Sequence, residues 1–152
     1  MTWHDLAGVL LLLPFVGAVG AFLVQGRMQS VLGSLLAAVV CACSVGVGIG
    51  VHIHGPVLMD LGGWPQPLGI GIRIDGLAVL FILLTAMVGL FVSLYSGSFF
   101  SLSAYETKRT SFWPLWFLLW GGLNALFCTA DIFNTYVLLE LVGISAAGLA
   151  AL

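Results

Sequence analysis

The chain carries very little charge. Only 7% of its 152 residues are Asp, Glu, Lys or Arg, and the formal net charge at pH 7 is -2. Soluble domains carry about 25% charged residues. With four Lys and Arg residues in total, the chain is too poor in positive charge for a nucleic-acid surface, so we expect no nucleic-acid partner. A water-soluble domain would need roughly 50 residues of mixed composition. The sequence has no such stretch, which excludes soluble chemistry within the chain itself.

Cysteine is also scarce. Cys41, Cys43 and Cys128 all lie within apolar segments, where small packing residues are more typical than a disulfide or a metal site. The pair His52 and His54 has no further ligand set in view, so we expect neither a metal nor a cofactor. A redox-enzyme anchor that binds haem or quinone through these histidines or the tryptophans is left as a rival interpretation.

Apolar residues dominate what is present. They make up 61% of the sequence, and the mean hydropathy is +1.19. A helix that crosses a membrane needs about 20 apolar residues. The first apolar run lacks the basic start of a signal peptide, so we interpret it as a retained helix. We therefore predict an all-α integral membrane protein with one membrane domain, residues 1–152. Its five transmembrane helices are predicted at about 6–24, 31–51, 76–96, 112–129 and 132–152.

The connection between the second and third helices has a strand pattern. The run "LGIGIRID" alternates strictly, with Leu68, Ile70, Ile72 and Ile74 on one side. The preceding "VLMDL" can pair with it across "GGWPQP", whose Gly and Pro residues mark a turn. The sequence therefore predicts a β-hairpin at about residues 55–75, followed by Asp75 as the N-cap of the third helix.

The basic residues predict an orientation. Arg27, Lys108 and Arg109 fall in the first and third connections, on one side of the membrane, whereas Arg73 is alone on the other. Because cytoplasmic loops carry the excess of Lys and Arg, we expect the C-terminus to be cytoplasmic and the N-terminus and hairpin to be extracytoplasmic. The fourth helix begins with four aromatic residues that suit a membrane interface: Phe112, Trp113, Trp116 and Trp120.

One carboxylate lies inside an apolar helix, in "NTYVLLELVG", residues 134–143. Glu140 is nine residues beyond Asp131, or about 13 Å at 1.5 Å per residue, near the middle of a roughly 30 Å hydrocarbon layer. An ionised side chain costs about 2.5–3.5 kcal/mol at that depth. All four basic residues lie in loops, so the sequence offers Glu140 no cation. Two interpretations remain: a proton or ion relay, or a permanently protonated glutamate that hydrogen-bonds a neighbour.

Other polar residues could line a hydrated path toward Glu140. Asn124, Cys128 and Asp131 share one face at the end of the fourth helix, and Asn134, Thr135 and Tyr136 open the fifth. We therefore include Asp131, Tyr136 and Asn124 as candidate site residues. Asp131 is equally well placed as the N-cap of the fifth helix, and it could serve in both roles.

Two of these stretches are similar to a known family. "TADIFNTYVLLELVGISAAGLAAL", 129–152, and "GGWPQPLGIGIRIDGLAVLFILLTAMVGLFVSLYS", 62–96, resemble the antiporter-like subunits of Mrp-type multisubunit cation/proton antiporters, respiratory complex I and membrane-bound hydrogenases. The resemblance covers roughly residues 55–152 and is strongest to the Mrp D subunit. It implies that Glu140 aligns with a glutamate that partners a lysine on a later, broken helix, and that this pair carries proton transfer.

The resemblance implies a function and partners. We expect the N-terminal portion of a subunit that translocates protons, and possible co-ions Na+ or K+, in a multisubunit complex of a bacterial inner membrane. The family's lysine-bearing helices have no counterpart in these 152 residues, so another chain or a continuation of this one would have to supply them. We do not expect the chain to be an enzyme on its own. The alternative is a structural or assembly subunit without an ion path.

Overall fold

The computed structural model describes residues 3–61, 69–100 and 106–152. Within them it has five helices and two strands: α1 Trp3–Leu23, α2 Arg27–His54, β1 Val57–Leu61, β2 Ile70–Ile74, α3 Gly76–Phe99, α4 Glu106–Cys128 and α5 Ile132–Ala150. Each helix contains a stretch long and apolar enough to cross a membrane. The predicted architecture of five candidate spans with a small sheet is confirmed.

Four of the helices, α1 to α4, extend beyond the apolar segments that predicted them. α2 continues to His54, and α4 begins at Glu106 within the polar run that the sequence suggested as a loop. Hydropathy identifies only the part of a helix that lies in hydrocarbon, whereas polar residues can continue the helix where water or headgroups surround it. As a consequence, Pro114 lies well inside α4.

The β-hairpin pairs as predicted. β1 and β2 are antiparallel, with a register that runs from Val57 opposite Ile74 to Leu61 opposite Ile70. Ile72 and Ile74 are buried, whereas Ile70 is exposed. Leu68 and the predicted turn, residues 62–67, lie outside the described residues. The inward side of the alternation is therefore formed by the part of β2 nearest α3.

The hairpin is attached to the turn between α4 and α5. The backbone N–H of Ala130 donates to the carbonyl oxygen of Gly71 at 2.9 Å, and Thr129 forms an isolated antiparallel bridge with Ile72. In the helical part, α1 packs against α2 and α4, α2 packs along α3, and α4 contacts α3 and α5. α5 is therefore an outer helix whose start is fixed by the hairpin.

An aromatic ladder fills the bundle centre. Trp113, Phe117 and Trp120 are at most 2% exposed, and their ring centroids are 6.0 Å and 6.3 Å apart along α4. Gly33 and Gly89 make room for it: a Cβ on Gly33 would overlap the Trp113 ring, and one on Gly89 would lie 2.7 Å from the Trp120 ring. The membrane-interface interpretation is wrong for both tryptophans, because the face of α4 that carries them turns inward.

Candidate functional site

Asp131 caps α5. Its Oδ1 accepts a hydrogen bond from the backbone N–H of Phe133 at 3.1 Å, and its Oδ2 accepts one from Asn134 at 3.3 Å. The backbone of Asp131 is extended, as expected for an N-cap residue. The capping role is thus present in the structure, while a role of Asp131 in a hydrated path stays a prediction.

The polar residues around this cap bond mainly to one another. The Asn134 Nδ2 donates to the Thr129 Oγ1 at 3.2 Å, and the Thr135 Oγ1 donates to the carbonyl oxygen of Asp131 at 2.8 Å. The backbone N–H of Asp131 also donates a hydrogen bond to the Thr129 Oγ1 at 3.4 Å. Together with the hairpin contacts, this network fixes where α5 begins and hence how far along the helix Glu140 lies.

Glu140 lies on the outer face of α5. Leu138 and Ser145 are buried, and Val142 meets Gly122 of α4. At about 100° per residue, Glu140 points away from that packed side, and its side chain is exposed in the chain. Tyr136 lies one turn earlier on the same face and is 61% exposed. The structure therefore brings Glu140 and Tyr136 to one surface.

This outer face is open along its length. A Cβ added to Gly143 would meet no heavy atom within 4 Å, and Ile144 is exposed. Within the described part of the chain, the Glu140 carboxylate has no hydrogen bond or ion pair. A group that neutralises or hydrates Glu140 must therefore approach from this open side.

Asp75 and Arg73, at the hairpin end, serve local structure. Asp75 caps α3 by accepting from the N–H groups of Leu77 and Ala78, and its Oδ2 lies 3.3 Å from the Arg73 Nε. The N–H of Ala78 holds the pKa of Asp75 below its usual value, and the Leu77 N–H and the Arg73 charge act in the same direction. Arg73 is thus engaged at the start of α3, beside the hairpin, and not at Glu140.

Asn124 is separated from Glu140. It is fully buried on the inner face of α4 together with Trp120 and Cys128. Gly122, two positions earlier, faces α5, so Asn124 points to the opposite side of α4. Neither polar atom of its amide has a hydrogen-bond partner among the residues that the structure describes. Asn124 is thus a polar group within the bundle, distinct from the surface that carries Glu140.

Comparison with known proteins gives relatives of named function. No protein-family model matches the chain. It is 28% identical over 140 residues to the D subunit of the Na(+)/H(+) antiporter of Alkalihalophilus pseudofirmus, an alignment that covers 90% of this chain and 27% of the relative. It is 32% identical over 154 aligned positions to the N subunit of the NADH-quinone oxidoreductase of Desulforudis audaxviator, which covers 99% of this chain and 30% of the relative.

A solved structure agrees with these relatives. A chain of the membrane-bound sulfane sulfur reductase, an archaeal respiratory membrane complex, superposes with a TM-score of 0.80 at 26% identity over 92% of this chain and 29% of that chain. The present chain thus spans less than one third of the proteins it matches. Its five apolar helices and these relatives identify an integral membrane protein. The resemblance predicted from the sequence is confirmed: the chain is homologous to antiporter-like membrane subunits, over a part of their length that fits an N-terminal portion.

Proposed function

We propose that the chain is the N-terminal part of a proton/cation-translocating antiporter-like subunit, and that Glu140 relays protons in it. One observation carries this proposal: a carboxylate lies midway along an apolar helix of 19 residues, on the face that the rest of the described chain leaves open. An ionised side chain costs about 2.5–3.5 kcal/mol at mid-membrane. That cost is offset only where water, a proton or a positive group reaches the carboxylate.

The membrane arrangement that we propose places Glu140 at mid-depth. The chain forms one membrane domain in a bacterial inner membrane, with the hairpin and N-terminus extracytoplasmic and the C-terminus cytoplasmic. Arg27, Lys108 and Arg109 lie at the bundle end opposite the hairpin, which supports this orientation. α5 is about 28 Å long, and Glu140 lies about 13 Å from Asp131 along it, so its carboxylate is far from both interfaces.

The open face of α5 is where a partner would act on Glu140. The family resemblance implies a lysine from helices beyond this chain, supplied by the rest of the subunit or by another membrane subunit of the complex. A cation at about 10 Å stabilises an ionised carboxylate by roughly 1.7 kcal/mol at an effective dielectric of about 20. When that cation moves away, Glu140 takes up a proton; when it returns, the proton is released toward the other side.

The remaining candidate residues contribute to different degrees. Tyr136 shares the face of Glu140 and is exposed one turn closer to the hairpin end, so its hydroxyl is the nearest candidate for a hydrated path. Asp131 lies at the mouth of that path, where it also caps the helix. Asn124 faces the bundle interior, so it would join the path only through water held between the helices.

The test is Glu140→Gln in the assembled complex, measured as cation/proton exchange or redox-coupled pumping in sealed vesicles. Gln keeps the size of the side chain and removes its titration, so assembly should be normal and transport should be lost. Asp60→Asn is the matched control, because Asp60 is an exposed carboxylate on β1. It should transport normally.

Two outcomes contradict the proposal. Full transport by a normally assembled Glu140→Gln complex would reject the relay and favour the alternative, a subunit that serves packing and assembly only. Equal loss of transport in Asp60→Asn would show that removal of any carboxylate disturbs the complex, and that Glu140 has no special role.

A further inference from the structure

A second polar region lies at the bundle end opposite the hairpin. There α2, α3 and α4 line an open cavity of about 490 Å³, and its wall includes two arginines and three serines: Arg27, Arg109, Ser30, Ser34 and Ser98. Cavities of this size hold small ligands. The sequence does carry a signal for this region, since Ser30 and Ser34 follow Arg27 on one face of α2, but it does not bring them to Arg109.

Ser30 indicates that the cavity accepts a polar ligand. Its side chain is only 6% exposed and lies in the cavity wall, and its Oγ has no hydrogen-bond partner in the part of the chain that the structure describes. Buried hydroxyl groups are normally hydrogen-bonded. A ligand that reaches this hydroxyl would satisfy it.

The positive charge around Ser30 indicates that this ligand is an anion. Arg109 is 5% exposed, and its Nη1 donates to the carbonyl oxygen of Phe100 at 3.2 Å, which holds the guanidinium in the wall. Arg27 begins α2, and the N-cap Gly26 supplies no side-chain capping bond. The positive end of the helix dipole therefore adds to the two guanidinium charges. Arginine favours phosphate because its planar group can donate two parallel hydrogen bonds.

The flank of the same cavity that lies farther along α2 from Arg27 is apolar. Val31, Leu35 and Leu94 line it, and each is more than half exposed in this chain. Leu35 is eight residues beyond Arg27, about 12 Å farther along α2. A free anion would use only the charged end of this cavity, and a neutral lipid only its apolar flank.

We propose that this cavity binds an anionic phospholipid. Its phosphate lies between Arg27 and Arg109 within reach of Ser30, and one acyl chain follows Val31 and Leu35. The proposal is independent of the role of Glu140, because the site lies at the bundle end opposite the hairpin, away from α5, and uses different residues.

The test is a lipid titration of the full 152-residue chain in neutral detergent, followed by native mass spectrometry. Phosphatidylglycerol is compared with phosphatidylcholine of the same acyl chains and with inorganic phosphate. Arg27→Gln should weaken phosphatidylglycerol binding about fivefold, the equivalent of about 1 kcal/mol for one basic residue near an anionic lipid. Lys108→Gln is the matched control: Lys108 is exposed at the same end and is not part of the cavity wall, so its loss should leave binding within twofold.

A second variant tests the cavity without a change of charge. A Cβ on Gly97 would lie 2.9 Å from the Ser34 Oγ, so Gly97→Val should narrow the cavity and weaken phosphatidylglycerol binding while both arginines remain. Equal binding of the two lipids would overturn the proposal, as would equal losses in Arg27→Gln and Lys108→Gln. Displacement of phosphatidylglycerol by millimolar inorganic phosphate would also overturn it, because the site would then be one for a soluble anion.

Discussion

Replacement of Asp131 separates its structural role from a role in proton transfer. Asp131→Ala removes both hydrogen bonds that the carboxylate accepts from Phe133 and Asn134 at the start of α5. Asp131→Asn removes the charge and the titration and keeps one acceptor oxygen at the helix start, so it retains one of the two hydrogen bonds from Phe133 and Asn134. Asn and Asp are about equally good N-cap residues, so the two variants divide the two roles.

The expected magnitude follows from the contacts. Loss of an N-cap costs about 0.5–2 kcal/mol, typically about 1. Phe133 is 74% exposed, so water or lipid headgroups can replace the hydrogen bond that its N–H loses. The bond from the Thr135 hydroxyl survives both substitutions, because it is accepted by the backbone carbonyl of Asp131 and not by its side chain. We therefore expect Asp131→Ala to destabilise the chain by about 1 kcal/mol, and Asp131→Asn by less than about 0.5 kcal/mol.

The assay is unfolding of the chain in mixed micelles, followed by far-ultraviolet circular dichroism. In the assembled complex, the same two variants are compared for transport. Normal stability with reduced transport in Asp131→Asn would assign the carboxylate to the hydrated path. Equal destabilisation by Asn and Ala, or no effect of Ala, would refute the reasoning from the cap.

Two further predictions concern the interior and the hairpin end. Gly89→Ala should destabilise the chain by about 1–3 kcal/mol, because the added methyl group would overlap the Trp120 ring. Gly143→Ala, on the open face, should instead stabilise α5 by up to about 1 kcal/mol. Equal effects of the two substitutions on unfolding in micelles would contradict this packing. The pKa of Asp75 is lowered chiefly by the Ala78 N–H, so its stabilisation of α3 is complete above the ordinary aspartate pKa of about 3.9 and is lost as the pH falls below it. Acid titration of helicity should show this loss in the wild type and not in Asp75→Asn.

Part of the candidate site was predictable because it depends on local quantities. The depth of Glu140 follows from its distance in sequence from Asp131 and the rise of a helix. The cap follows from the residue type at the turn before α5. The association of Asn124 with Glu140 was less predictable, because helical spacing defines which residues share a face and not which neighbour that face meets. Asn124 lies on the inner face of α4 and Glu140 on the outer face of α5.

The sequence by itself determined the five apolar spans, the hairpin pairing and the position of one carboxylate midway along the last helix. Each rests on hydropathy, on period-two alternation or on helical rise, which neighbouring residues define among themselves. The tertiary structure alone decided that Trp113 and Trp120 fill the centre, and that Arg27 and Arg109 meet at one cavity. A helix that is apolar on every side has no polar face, so its sequence does not indicate which side faces the core. The facing of such helices is set by close packing, such as that of Gly33 and Gly89 on the indole rings, and packing between distant segments exists only in the folded chain.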